Sequence, residues 1–262
     1  MTTPFKWETA SSTDVDYEYS PSRHALRPLD EYLVEYHELS KPHDPVAVRQ
    51  AQRPLLIYIH GGYWQRLSAA DSLFNAPDAI AEGISLHAVE YTLAPSATVP
   101  EIIEECIIDV LKTIVELQPT KVVLAGCSAG AHLVAMCARE YAISSRLSGV
   151  VLLSGIYDLR PLVLIDTNDP LHLTPETAAA ISPQLLPPVR GVSHALCAVG
   201  ESESSEFIRQ NAEYGDYLAL TGEKTEVVVV PHRDHFNLPY DLLKRGTVVG
   251  DWTLAQLLEE QS

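Results

Sequence analysis

Apolar residues fall along this chain in two alternating patterns, short unbroken runs and longer stretches spaced by three and four, and the alternation begins abruptly at Pro54. Leu55-Leu56-Ile57-Tyr58-Ile59 predicts a buried strand, and residues 84–91 predict the next. Over residues 99–117, Ile102, Ile103, Cys106, Val110, Ile114 and Leu117 recur at helical spacing and predict one long amphipathic helix. Residues 121–125 read as a strand and 131–139 as a helix, with further strands at 149–154, 195–199 and 226–230. Continuous apolar runs of this length suit strands covered by helices on both faces, and their alternation with helices predicts an α/β fold with a mostly parallel sheet. Before residue 54 the chain is polar, aromatic and weakly periodic, apart from a helix predicted around residues 29–39. The first 50 residues or so therefore read as an N-terminal arm lying over the domain. From about residue 157 to 190, Pro161, Pro170, Pro175, Pro183, Pro187 and Pro188 interrupt any long helix and predict a small cap of short helices and turns.

Length and charge narrow the picture. At 262 residues the chain suits one large α/β domain, residues 1–262. Eighteen Lys and Arg against 35 Asp and Glu give a formal charge of −17, which repels phosphate backbones and anionic lipid, so neither nucleic acid nor a membrane is an expected partner. Cys106, Cys127, Cys137 and Cys197 form no C-x-x-C pair and lie mostly in apolar segments, as reduced core residues do. The first residues have no basic stretch followed by an apolar one, and no apolar run approaches membrane-spanning length; the expected location is cytoplasmic. A homodimer is left open.

The chemistry centres on Gly126-Cys127-Ser128-Ala129-Gly130, a G-x-S-x-G between a predicted strand and a predicted helix. A serine hydroxyl is a weak nucleophile at neutral pH, and a sharp glycine-flanked turn presents it to a base. The base is expected at His235, beyond the last valine-rich strand; His232 competes, but at the strand end its side chain is expected to be fixed in the sheet edge. The two histidines also make an H-x-x-H pair, yet no third ligand at recognisable spacing accompanies them, so no metal or other cofactor is expected. The acid that orients the base should follow the 195–199 strand, where Glu201, Glu203 and Glu206 compete, with Asp158 as an outside candidate whose ordinary role is a turn or cap. His60-Gly61-Gly62-Tyr63-Trp64 ends the first strand, and its glycines free main-chain N–H groups to converge with that of Ala129 on an oxyanion. Each such donor contributes about 3 kcal/mol to a transition state. His60 itself reads as a structural residue.

With these residues in hand, the chain resembles the arylformamidase (kynurenine formamidase) branch of the α/β-hydrolases. The resemblance rests on Tyr19-Ser20-Pro21-Ser22-Arg23, the His60 to Trp64 segment, Glu90-Tyr91-Thr92-Leu93-Ala94-Pro95, the serine pentapeptide, Ser154-Gly155-Ile156-Tyr157-Asp158-Leu159, Ser205-Glu206-Phe207 and Asp234-His235-Phe236. It implies Ser128 as nucleophile, His235 as base, Glu203 as acid where relatives more often have aspartate, and the amides of Gly62, Tyr63 and Ala129 as the oxyanion site. The short stretch between Arg23 and Pro54, where relatives fit extra strands, implies that the first strands of the fold are reduced or missing. The implied reaction is hydrolysis of N-formyl-L-kynurenine to formate and L-kynurenine through an acyl-enzyme. Tyr63, Trp64, Tyr157 and Phe236 are candidates to wall an aromatic pocket, and no arginine in a motif loop stands out as the partner of an amino-acid carboxylate. A short-acyl carboxylesterase is therefore the alternative. A ligand-binding protein on a hydrolase scaffold is the third reading, which the retained serine, histidine and acids disfavour.

Overall fold

A computed structural model describes residues 5–188, 192–220, 222 and 224–259. Six strands, all parallel, form one sheet in the order β2-β1-β3-β4-β5-β6. They are β1 (Leu55–Ile59), β2 (Ser85–Val89), β3 (Val122–Cys127), β4 (Gly149–Leu153), β5 (His194–Gly200) and β6 (Lys224–Val230). Among the described residues no strand precedes β1, in line with the shortened stretch before Pro54. The chain winds outward from β1 in both directions, so β1 and β3 lie side by side at the point where the strand order reverses. Ligands of open α/β sheets bind in the crevice outside the carboxyl ends of strands at such a point.

Side chains alternate across the sheet and build a core on each face. Leu55, Ile57 and Ile59 join Leu124, Leu152 and Cys197 in one core, under α4 (Val99–Leu117), α5 (Ala129–Cys137) and α8 (Ser205–Ala219). Leu56 and Tyr58 join Val123, Val151 and Leu196 in the other, under α2 (Leu29–Ser40), α3 (Ala76–Glu82) and α9 (Val248–Leu258). The long helix predicted at residues 99–117 ends where the apolar stripe does. Its start is fixed by a reciprocal cap, in which the Thr98 side chain accepts from Glu101 N–H and Glu101 accepts from Thr98 N–H. All four cysteines are buried. Among the described residues no helix is long and apolar enough to cross a membrane.

One expectation for the sheet fails at its edge. The 226–230 run predicts a strand covered on both faces, yet β6 is the last strand and half open, with Val227 and Val229 each 45% exposed. Val227 is half-covered by α8, which passes so closely that a Cβ on Gly215 would strike its side chain.

The first 40 residues carry α1 (Ser12–Glu18), a 3-10 turn at Pro21–Arg23, and α2. Polar contacts, one of them buried, hold them. Tyr19 donates its hydroxyl to Glu206 Oε2 at 2.8 Å, and Glu18 accepts from Ser205 Oγ and Glu206 N–H at the start of α8. Between β4 and β5 the proline-rich stretch forms short 3-10 segments, α6 (Tyr141–Ser144) lying before it and α7 (Pro175–Ala180) within it. Its Leu159, Leu162, Leu171, Leu173 and Ala178 sink into the core that α4, α5 and α8 cover.

Candidate active site

Ser128 follows the last residue of β3 and precedes the first of α5, with φ 58° and ψ −123°. For a residue with a side chain this backbone is strained, and the surroundings hold it there. Ser128 N–H donates to Leu153 O at 2.8 Å, pinning the turn to β4. A Cβ on Gly126 would strike Gly130 O, and one on Gly130 would strike Ile59 O, so the two glycines let helix, turn and β1 close on one another.

His235 lies in the loop after β6, and its Nδ1 is 2.7 Å from Glu203 Oε2. Two donors hold the other carboxylate oxygen: Ser154 Oγ at 2.5 Å and Gly200 N–H at 2.8 Å. The histidine and glutamate loops are laced together, with Glu201 N–H on Val230 O and Ser202 N–H on Arg233 O. Gly200 makes that approach possible, because a Cβ there would lie 2.5 Å from Arg233 O. Arg233 is itself clamped by both oxygens of the buried Asp241. With Nδ1 engaged by a carboxylate, the imidazole keeps Nε2 for the cavity that His235 and Ser128 both line.

The other acids are engaged elsewhere. Glu206 takes Arg209 on both oxygens and Tyr19 on one; Asp158 folds onto Arg160; Glu201 accepts from His232 N–H in solvent. The expectation for His232 needs correction: beyond β6 the chain turns with φ 59° and leaves that side chain 91% exposed, not fixed in the sheet edge. Among the described residues no cluster of three or more metal-ligating side chains forms.

The loop after β1 takes an unusual course, with positive φ at Gly62, Tyr63, Trp64 and Leu67. Gly61 passes against the serine turn, where an added Cβ would lie 2.8 Å from Cys127 O and 3.1 Å from Ser128 Cβ. Gly62 and Tyr63 line the same cavity as Ser128, and the N–H of Ala129 is one of the donors left unpaired at a helix start. Beneath the loop, His60 donates from Nδ1 to Gly61 O at 2.9 Å and stacks on Tyr91; burial pushes its pKa down to about 4, so it stays neutral.

Ser128 and His235 open into a cavity of about 230 Å³, whose wall also includes Gly62, Tyr63 and Phe236. Trp64 and Tyr157 are not on that wall. Trp64 is fully buried edge-on against His132, below the loop, and Tyr157 is fully buried with its ring stacked on Tyr214 at 3.9 Å. Both belong to the core, as large apolar groups next to a catalytic loop commonly do. In their place the arm supplies Tyr19, Pro21, Leu29, Leu33 and Tyr36, joined by Tyr58 from β1. From the proline-rich stretch, Thr167 alone among the described residues reaches the wall.

The arm is fastened to the histidine loop itself. Asp234, fully buried, accepts from Tyr32 Oη at 2.6 Å and Leu26 N–H at 2.7 Å with one oxygen, and from Phe236 and Asn237 N–H with the other. Tyr36 donates to Phe236 O, and Tyr32 stacks on the Phe236 ring. Sequence reasoning did not find Ser154, Asp234 or the arm tyrosines as parts of the site. The Tyr19 to Arg23 motif was the available signal for the arm.

The profile of a family described as alpha/beta hydrolase fold matches residues 56–237. A kynurenine formamidase from Salmo salar is 37% identical over 215 residues, covering 78% of this chain and 71% of that protein. One from Danio rerio is 30% identical over 268 residues, covering 88% and 92%. Among solved structures, a putative thioesterase from a Silicibacter species superposes with TM-score 0.79 at 21% identity, over 91% of this chain and 98% of the other. An esterase from Pyrobaculum calidifontis does so with 0.68 at 17% identity, over 87% and 91%. At those identities the two structures speak for the fold alone.

Proposed function

The chain belongs to the α/β-hydrolase fold family, on its kynurenine formamidase branch, and from that premise we propose that it hydrolyses N-formyl-L-kynurenine to formate and L-kynurenine with Ser128 as nucleophile. The observation that carries the reading is the 2.7 Å contact between Glu203 and His235 beside a serine held in a strained turn on the same cavity.

Each step follows from those positions. Ser128 Oγ attacks the formyl carbon while His235 Nε2 takes its proton, and the Glu203 carboxylate holds the imidazolium by its Nδ1–H. Negative charge gathers on the formyl oxygen, where the N–H groups of Gly62, Tyr63 and Ala129 meet it. The tetrahedral intermediate collapses, the C–N bond breaks, and the aryl amine leaves with the proton from His235. Water then gives a proton to His235 and attacks the formyl ester; the C–O bond to Ser128 breaks, the proton returns to Oγ, and the formic acid released gives its remaining proton to solvent as formate. No residue changes its net protonation over the cycle.

The relatives' names support the formamide, and the small cavity supports a small acyl group. The test is turnover of N-formyl-L-kynurenine beside p-nitrophenyl acetate. The wild type is expected to favour the formamide, and Ser128→Ala to lose both activities by about a millionfold in kcat, to near the detection limit. A wild type that cleaves only the ester makes the protein a short-acyl carboxylesterase; a Ser128→Ala variant with undiminished turnover removes the serine mechanism.

A further inference from the structure

Among the described residues, the cavity wall carries one permanent charge, that of Arg66, and no Asp or Glu lines it. This stands out in a chain with 35 acids and 18 bases. Arg23, Arg27, Arg160, Arg209, Arg233 and Arg245 each pair with a carboxylate, whereas Arg66 makes no ion pair among the described residues.

The segment that carries Arg66 is held firmly. Gln65 N–H donates to Gly62 O at 3.0 Å, Gln65 Nε2 to Thr167 O at 2.8 Å, and Ala94 N–H to Trp64 O at 2.8 Å. The turn brings Arg66 against Gly62: a Cβ on that glycine would strike Arg66 O and lie 3.2 Å from Arg66 Cβ. A fixed backbone thus holds an exposed Arg66, with no ion pair among the described residues, on the cavity wall beside Gly62 and Tyr63.

We propose that Arg66 is the carboxylate anchor of this site, pairing with an acidic group on the leaving portion of the substrate and selecting anionic acyl-aryl compounds over neutral ones. The proposal rests on the formamidase reading, since N-formyl-L-kynurenine bears its formyl group at one end and an amino-acid carboxylate at the other. A guanidinium meets a carboxylate with two parallel N–H donors, a geometry that a neutral ester or amide does not return. The net charge of −17 opposes an anion at a distance, but screening confines each surface charge to about 8 Å at physiological salt, so the local cation governs inside the cavity.

Arg66→Ala and Arg66→Lys test this, with thermal midpoints measured beforehand. The readout is the ratio of kcat/KM for N-formyl-L-kynurenine to that for its methyl ester. Arg66→Ala is expected to lower the ratio about tenfold, chiefly through KM, as loss of a charged hydrogen bond does, and Arg66→Lys to recover part of it. An unchanged ratio overturns the proposal. Calorimetric binding of L-kynurenine against its methyl ester supplies a readout free of turnover. A wild-type preference for the acid that Arg66→Ala abolishes supports the anchor, and equal wild-type affinity for both overturns it. Wild-type inactivity towards N-formyl-L-kynurenine overturns the formamidase reading instead, and the binding measurement still decides on Arg66.

Discussion

Glu203 receives three donors, and each defines what a substitution would do. Ser154 Oγ and Gly200 N–H hold one oxygen, and His235 Nδ1–H meets the other. Glu203→Gln keeps the shape but turns an amide N–H₂ or a weaker acceptor toward His235, which destabilises the imidazolium and favours the wrong tautomer. The variant is expected to fold with a nearly unchanged thermal midpoint and to lose about 10⁴-fold in kcat, by analogy with the amide replacement of a triad acid. Loss of only a few-fold would mean that another carboxylate orients the base. The strained turn at Ser128 was readable in the sequence because its requirements are local: two glycines, a strand before, a helix after. Glu203 was one of four candidates in the sequence, because Glu201, Glu203 and Glu206 differ in which way a loop turns them and Asp158 stood outside them, and the resemblance chose among them. Ser154 was unreadable, since its contact with Glu203 exists only because β4 and β5 are neighbours.

The arm is the element whose part in the site the pattern of apolar residues did not reveal. Its helix at residues 29–40 was anticipated to within a residue, but a weakly amphipathic helix says nothing about which loop it covers. The polar pairs that fasten it, Tyr32 to Asp234 and Tyr36 to Phe236 O, link residues about two hundred apart. Tyr32→Phe removes one donor from the buried Asp234 carboxylate while keeping the ring on Phe236. The expected cost is about 1.5–3 kcal/mol of stability in urea unfolding, with a higher KM because the arm walls the cavity. Unchanged stability and KM would show that the arm is held without this contact. By contrast, the strands were legible individually, because the central runs are buried on both faces; the edge strands depart from that rule, β2 slightly at His87 and Ala88 and β6 over most of its length.

For the whole molecule, acid is the condition to examine. Burial lowers the pKa of both His60 and His132 from 6.5 to about 4, outweighing the hydrogen bond that each makes to a carbonyl and that by itself favours the charged ring. Above pH 6.5 neither state of the chain is protonated at these sites, so they leave stability unaffected. Between pH 6.5 and 4 the unfolded chain takes up protons that the folded one refuses, and stability falls with falling pH, by at most about 3 kcal/mol per histidine. Urea unfolding at pH 7, 6 and 5 is expected to show a progressive decline that His132→Gln makes shallower relative to its own value at pH 7. Equal slopes for both proteins would remove His132 from the account. The overall architecture was readable from alternating runs and helices, and the six-stranded parallel sheet agrees with it.

The Asp234 clamp has a consequence for how the protein comes into being. The carboxylate that Tyr32 and Leu26 bind is synthesised 202 and 208 residues after them. The arm can meet nearer residues first, Tyr36 stacking on Phe74 and Leu73 N–H donating to Ser40 Oγ, but its fastening to the histidine loop must wait for Asp234. Such distant pairings are slow to form because long loops must close first. Tyr19, Leu29, Leu33 and Tyr36 line one side of the cavity, so that wall is fixed to the histidine loop only once this contact forms. The contact that completes the cavity thus also delays it: the serine turn can be in place first, and the enclosed site follows when the arm meets the histidine loop.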